Sequence, residues 1–313
     1  MILDLDPASA SPAPQVRPWP VDDLPALDPD PFLDRVLREE PVTRISLPYG
    51  SGHARLVTRY ENVRFVTSDP RFSREEVAGI SVTGMAPQAV ASQSAGLQYI
   101  DPPRHTRLRR VVARAFTARS MARLRPPAEH TAHRMFDGLE QAGPPGDLME
   151  HLRTPFPIAV VCFFLGADED DWHQRAGNSE TLLSKAPDGS ERHRTARETT
   201  RGRVVDLLQR RRAEPRDDLA GVLARATAAG EITGDEAISP DVLDFGRDGA
   251  GHLAFGHGPH FCLAALMARM EAEVMIQAVL DRFPGVRLPV PAAEVEFQRE
   301  GLIRGPRTLP VTW

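Results

Sequence analysis

The stretch that decides the fold runs from residue 255 to residue 264 and reads Phe-Gly-His-Gly-Pro-His-Phe-Cys-Leu-Ala. Its cysteine, Cys262, stands directly before a strongly helical segment that extends to about Phe283. The start of a helix carries partial positive charge and unpaired N–H groups, which favour a thiolate over a thiol. Gly256 and Gly258 let the backbone pass close to a flat ring and point its amides at the sulfur. Without this context, a cysteine at a helix start is more often a small buried side chain than a ligand.

This stretch resembles the haem-binding loop of the cytochrome P450 family, whose pattern is Phe-Gly-x-Gly-x-His/Arg-x-Cys-x-Gly. Only the last position departs, where Ala264 replaces glycine. The resemblance implies haem b (iron protoporphyrin IX) as the cofactor and Cys262 as the axial ligand of its iron. A thiolate ligand donates electrons to the iron and favours O–O bond cleavage. The loop residues implied to lie against the haem are Phe255, which would shield the sulfur, Gly256, Gly258, His260, which would donate to a propionate, Cys262 and Ala264.

A second stretch, residues 101–110, agrees with this interpretation. It reads Asp-Pro-Pro-Arg-His-Thr-Arg-Leu-Arg-Arg and looks like the start of helix C in the same family. His105 and Arg109 are four residues apart, so they share one face of a helix. In the family these two positions bind haem propionates, and arginine suits a carboxylate because it offers two parallel donors. Taken alone, an arginine-rich helix is more often a solvated surface.

The same resemblance implies partners. A ferredoxin and its ferredoxin reductase would supply electrons, and a small organic molecule would be the substrate. The remaining arginines of this region predict a basic patch that could dock an acidic ferredoxin: Arg107, Arg110 and Arg114. Three segments of apolar to mixed composition are candidates for substrate contact, and they fit a hydrophobic small molecule: residues 73–96, 170–191 and 301–303.

Composition narrows the class of protein. The net charge of -5 excludes a generally basic nucleic-acid binder. Two cysteines cannot build a dense disulfide scaffold, and Cys162, inside an apolar run, is expected to be a small buried side chain. The first residues lack a signal-peptide pattern, and the most apolar stretch, residues 158–167, is shorter than the ~20 residues of a membrane span. We therefore expect a soluble cytoplasmic protein with no membrane partner.

The order of elements predicts a mainly α fold with small β-sheets, organised as a single domain over residues 1–313. The first 30 residues, rich in proline and aspartate, are expected to form an irregular surface arm. Ser120 is expected to cap a helix. Helices are predicted at residues 31–40 and 60–68, and two strands joined by a turn are predicted at 42–47 and 54–58. A series of helices is predicted over residues 103–230. Short strands and turns are predicted after residue 286.

Between Ser239 and Pro240 the family pattern is interrupted, so the predicted fold lacks its central I helix block. In the family this block supplies an acid–alcohol pair that delivers protons above the haem, and a buried Glu-x-x-Arg pair. No Ala/Gly-Gly-x-Asp/Glu-Thr string occurs in the sequence, and no catalytic residue is assigned. The pairs Glu191–Arg194 and Glu198–Arg201 precede the break and are interpreted as surface pairs. The missing helix would expose apolar neighbours on the distal side of the haem, which self-association, a swapped segment or a rearranged lid could cover.

Two functions follow from these residues. The first is a haem-thiolate oxidoreductase of the cytochrome P450 monooxygenase type, acting on a small hydrophobic molecule in secondary metabolism. The alternative is a haem-binding non-oxygenase homologue, either an auxiliary scaffold or a degenerate product, that has lost oxygen activation; a peroxide-driven enzyme is a variant of it. Zinc or iron–sulfur binding is disfavoured because Cys262 has no second thiolate near it in sequence.

Overall fold

Helices dominate the parts of the chain that the structure, a computed structural model, describes, and the expected mainly α fold is confirmed. Several predictions lie outside the described residues: the turn at 48–50, most of the segments 73–96 and 170–191, the junction at 239/240, and residues 301–303. The described residues are 16–18, 31–47, 51–76, 97–152, 155–167, 190–233, 252–297 and 305–313.

The N-terminal part contains a three-stranded sheet and two helices. Its elements are β1 (Arg17–Pro18), α1 (Pro31–Glu39), β2 (Val42–Ser46), β3 (Ala54–Val57) and α2 (Tyr60–Ser68). Strands β2 and β3 form the predicted antiparallel pair, with Val42 opposite Val57. Strand β1 joins β2 in parallel, with Arg17 opposite Ile45. The expectation of an irregular arm over residues 1–30 is therefore wrong at Arg17–Pro18, where a two-residue strand is too short to leave a sequence pattern.

The rest of the described chain is helical apart from one small sheet. Its elements are α3 (Arg104–Ala113), α4 (Ala118–Ala142), β4 (Gly146–Asp147), α5 (Leu148–Leu152), α6 (Pro155–Leu165), α7 (Ser190–Ala213), α8 (Leu219–Ala228), α9 (Ala265–Arg282) and β5 (Pro310–Val311). Strands β4 and β5 pair antiparallel, which returns the C-terminal end to the helices.

The core is centred on the packing of α9 along α4. Phe136 of α4, Met267 of α9 and Phe283 just beyond α9 are each 0% exposed. The rings of Phe136 and Phe283 meet edge to face, with centroids 5.7 Å apart. Burial of a large apolar side chain stabilises a fold by roughly 1.5–3 kcal/mol. This contact holds in place the helix that follows Cys262.

Side-chain caps define where two of the helices begin. Thr117 caps α4, because its hydroxyl oxygen accepts the backbone N–H of Ser120 at 3.1 Å. The predicted cap at Ser120 is therefore wrong by three residues. Asp218 caps α8 by accepting the N–H of Gly221 at 2.8 Å. Asp218 also pairs with Arg211 of α7, so one carboxylate joins two helices.

One apolar stretch among the described residues is long enough, by length and composition alone, to cross a membrane. It runs from Leu148 to Leu165 with a mean hydropathy of 1.3, and it comprises α5 and α6. Half of it is buried inside the protein, and the core helix of a soluble protein passes the same test. Cys162 lies in this stretch and is 1% exposed, as expected for a small buried side chain.

Candidate haem site

Cys262 lies at the end of a short turn that leads into α9. The turn, Gly258–His260, is closed by the N–H of Phe261, which donates to the carbonyl of Gly258 at 2.9 Å. Cys262 is 2% exposed and is not part of a disulfide. Helix α9 begins at Ala265, just after the cysteine, as the sequence predicts. The partial positive charge of this helix start therefore lies close to the sulfur, and it favours the thiolate.

The two glycines of the loop have different roles. Gly256 and Gly258 have φ values of +80° and +78°, a conformation that residues with a side chain rarely adopt. At Gly258 a Cβ would overlap the carbonyl oxygen of Thr67 and reach within 3.0 Å of the Cα of Ser68. At Gly256 the nearest atom would be 3.9 Å away. Gly258 is thus required because the end of α2 packs against the loop, a contact that the sequence did not reveal.

A hydrogen bond forms a second link between α2 and the loop. The Nε of Arg64 donates to the Nε2 of His257 at 3.2 Å. Because Nε2 accepts this bond, Nδ1 is the ring nitrogen that carries a proton. That Nδ1 is buried and has no hydrogen-bond partner among the described residues. The link joins residues 193 positions apart, a separation at which no local pattern operates.

Two histidines from the separate motifs are in contact. His105 of α3 and His260 of the loop are 1% and 9% exposed, and their ring centroids are 4.1 Å apart. Both ring nitrogens of His105 and the Nδ1 of His260 lack a partner in the described chain. Burial, with Arg109 and Arg74, lowers the pKa of His105 to about 4. Burial, with Arg74 and His105, lowers the pKa of His260 to about 3. Both rings are therefore neutral near pH 7.

An open cleft of about 630 Å³ separates α3 from the cysteine loop. It brings together the two motifs that the sequence singled out. The residues that line it are His105, Thr106, Arg109, Arg110, Ala113, His257, Gly258, Pro259 and Phe261.

The expected basic patch is smaller than the sequence suggested. Arg107 donates to the carbonyl oxygen of Glu231 at 2.7 Å, and Arg114 donates to both carboxylate oxygens of the same residue. Glu231 thus neutralises part of the patch and leaves Arg110, beside Arg109, on the cleft. The expected surface pair Glu191–Arg194 is present on α7, with side chains 60–70% exposed.

No family model matches the chain. Biflaviolin synthase of Streptomyces coelicolor is 31% identical to it over 396 aligned residues, which cover 96% of this chain and 97% of that protein. The chain belongs to the cytochrome P450 family. Mycinamicin IV hydroxylase/epoxidase of Micromonospora griseorubida is 30% identical, with 95% and 98% covered. The crystal structure of cytochrome P450mel 107F1, a P450 with biaryl coupling reactivity, gives a TM-score of 0.82 at 28% identity and covers 96% of this chain and all of its own.

Haem is the cofactor of cytochrome P450 proteins, and the chain is an oxidoreductase of this monooxygenase type. The side chains present fit a haem. Buried N–H groups rarely lack an acceptor, so the unpartnered nitrogens of His105 and His260 fit an anionic carboxylate such as a propionate. The buried sulfur of Cys262, which is not part of a disulfide, fits an axial ligand.

Proposed function

We propose that this cytochrome P450 oxidises a small hydrophobic molecule of secondary metabolism, with Cys262 as the axial ligand of the haem iron. The observation that carries the assignment is the contact between His105 and His260, two buried neutral rings with unpartnered nitrogens that lie between the two family motifs. Relatives named as a biflaviolin synthase, a nocardicin C N-oxygenase and a mycinamicin IV hydroxylase/epoxidase support the substrate class.

Each residue of the site would have a separate role. The bound haem supplies the redox chemistry that activates oxygen. The start of α9 stabilises the Cys262 thiolate, and Gly256 and Gly258 give the loop its shape. The haem propionates would be bound by His105, Arg109 and His260. Phe255 is half-buried at the start of the loop, and Ala264, only 1% exposed, would keep the helix start close to the ring.

The length of the alignment supports the proposal of a missing central block. The 396 aligned positions exceed the 313 residues of the chain, so at least 83 positions of the relative lie opposite gaps. We place this gap between Ser239 and Pro240, where the family pattern breaks. No residue of the described chain is assigned to proton delivery. No observation favours the non-oxygenase alternative.

A ferredoxin with its reductase would deliver electrons at the cleft beside α3. The exposed side chain of Arg110 would attract its acidic surface. We expect Arg110→Glu to raise the KM for an acidic ferredoxin about tenfold at low salt, with the effect shrinking as salt rises. Arg212→Glu, an exposed arginine on α7, is the matched control and should leave that KM unchanged.

Self-association and a cytoplasmic location are further parts of the proposal. Three apolar side chains of α9, in the described structure, are between 44% and 60% exposed: Leu266, Ile276 and Leu280. A second copy of the chain would cover them. Sedimentation analysis should then show a dimer that Ile276→Glu dissociates.

The decisive experiment is the carbon-monoxide difference spectrum of the reduced protein, purified with haem supplied. We expect a thiolate-type Soret band in the wild type and in Cys162→Ala, and its loss in Cys262→Ala. Cys162→Ala is the matched control because both cysteines are buried and only one precedes α9. A wild-type chain without that band would overturn the proposal. NAD(P)H-dependent turnover with a ferredoxin pair then measures oxygenase activity.

A further inference from the structure

Asp101 fastens a second chain segment to the start of α3. Its carboxylate accepts the hydroxyl of Ser73 at 2.5 Å, the N–H of Arg74 at 3.1 Å and the N–H of Glu75 at 3.3 Å. In return the Glu75 carboxylate accepts the N–H of Asp101 at 3.4 Å. The carbonyl of Asp101 accepts the N–H of His105 at 3.0 Å. The backbone of Arg74 is thereby held in a fixed position relative to His105.

The positive charge of Arg74 acts on both histidines. Its positive charge helps to lower the pKa of His105 and, more than any other side chain, that of His260. Among the described residues, its guanidinium makes one long hydrogen bond, from Nη1 to the carbonyl of Gln98 at 3.4 Å. Most of its five N–H donors therefore have no acceptor within the described part of the chain.

We propose that Arg74 is a further propionate-binding residue of the haem site and that Asp101 is its positioning residue. The proposal rests on haem binding as proposed above. A carboxylate is bound most strongly by arginine side chains, which supply positive charge and paired N–H donors. Arg109 supplies one such charge and Arg74 a second. The negative charge of Asp101 is taken up by its three hydrogen bonds to residues 73–75.

The test measures the rate at which haem leaves the protein for an excess of apomyoglobin. A hydrogen bond to a charged group contributes about 1.5–3 kcal/mol, so Arg74→Gln should release haem roughly 10- to 100-fold faster than wild type. Arg71→Gln is the matched control, because Arg71 is exposed on the same segment and pairs with Asp69. It should stay within about twofold of wild type.

A change in the cofactor isolates the carboxylate. Iron protoporphyrin IX dimethyl ester has no free propionates, so Arg74→Gln and wild type should lose it at equal rates. Asp101→Asn should accelerate the loss of normal haem, and its effect should not add to that of Arg74→Gln. Arg74→Lys, which keeps the charge but not the paired donors, should fall between wild type and Arg74→Gln. If Arg74→Gln does not fold, Arg74→Lys replaces it in the comparison with wild type.

Three results would overturn the inference. Equal loss of normal haem from wild type and Arg74→Gln would show that Arg74 does not bind a propionate. Equal acceleration with haem and with its dimethyl ester would assign Arg74 a purely structural role. A wild-type protein that takes up no haem would overturn the proposed function itself, and this inference with it.

Discussion

His105 and His260 pack ring against ring, with centroids 4.1 Å apart and planes inclined by 39°. Burial lowers the pKa of both, and Arg74 and Arg109 lower them further, while Asp101 opposes this. A proton on either ring would add a positive charge to those of Arg74 and Arg109, which already act on both rings. The pair is therefore stable only as neutral imidazoles, and its titration is linked to the stability of the apoprotein.

The first prediction concerns this linkage at His105. Its folded-state pKa of about 4 lies below the ordinary value of 6.5, so the unfolded chain binds more protons between these two pH values. The stabilisation is therefore present above pH 6.5 and is lost as the pH falls towards 4. Between these pH values the unfolding free energy of the wild-type apoprotein should fall further than that of His105→Gln, by on the order of 2 kcal/mol. Urea unfolding at pH 7 and pH 4.5, for wild type and variant, measures it. Identical pH dependence in the two proteins would contradict the prediction.

The second prediction compares the two loop glycines. Gly258→Ala must both adopt a positive φ and push the carbonyl of Thr67 away, whereas Gly256→Ala meets no atom closer than 3.9 Å. We expect Gly256→Ala to cost about 1 kcal/mol and Gly258→Ala about 3 kcal/mol or more. Thermal unfolding and haem content measure the two effects. Equal losses would show that the α2 contact does not constrain the loop.

The third prediction concerns the buried ion pair of Arg211 and Asp218, whose side chains are 5% and 12% exposed. Asp218→Ala would leave the arginine buried without its partner and would remove the cap of α8. We expect a loss of about 3–5 kcal/mol. Asp217→Ala is the control, because its pair with Arg123 is exposed and should contribute less than about 1 kcal/mol. Similar urea midpoints for the two variants would refute the assignment.

The fourth prediction concerns Glu271, on α9. Burial raises the pKa of its carboxyl to about 8, and its Oε1 has no partner among the described residues. The neutral form is thus favoured on folding, and stability is lost as the pH rises from 4.5 through 8. We expect Glu271→Gln to be close to wild type in stability at pH 5 and to be more stable by roughly 3 kcal/mol at pH 8. Glu273→Gln, at an exposed residue paired with Arg125, should show no such gain. Guanidinium unfolding at both pH values distinguishes these outcomes.

The sequence predicted those parts of the fold and of the site that depend on local patterns. Consecutive residues alone are enough to recognise the strands around residues 42 and 54, the helix after Cys262 and the two motifs. The contacts of Gly258 with Thr67, of Arg64 with His257 and of His105 with His260 cannot be recognised in this way. Each joins segments that are far apart in sequence, and each depends on how α2 and α3 approach the loop. The two-residue strand β1 left no signal for the same reason, because its pairing is entirely non-local.

Helix α9 begins three residues after Cys262 and buries Met267, Met270 and Val274 in the core. The segment that would hold the iron therefore continues directly into the helix that stabilises the core. Unfolding of the core would move the Cys262 sulfur away from the iron. Release of the sulfur from the iron would in turn expose the first turn of α9. The colour of the holoprotein should therefore report its global unfolding, with bleaching and loss of helix following a single heating curve.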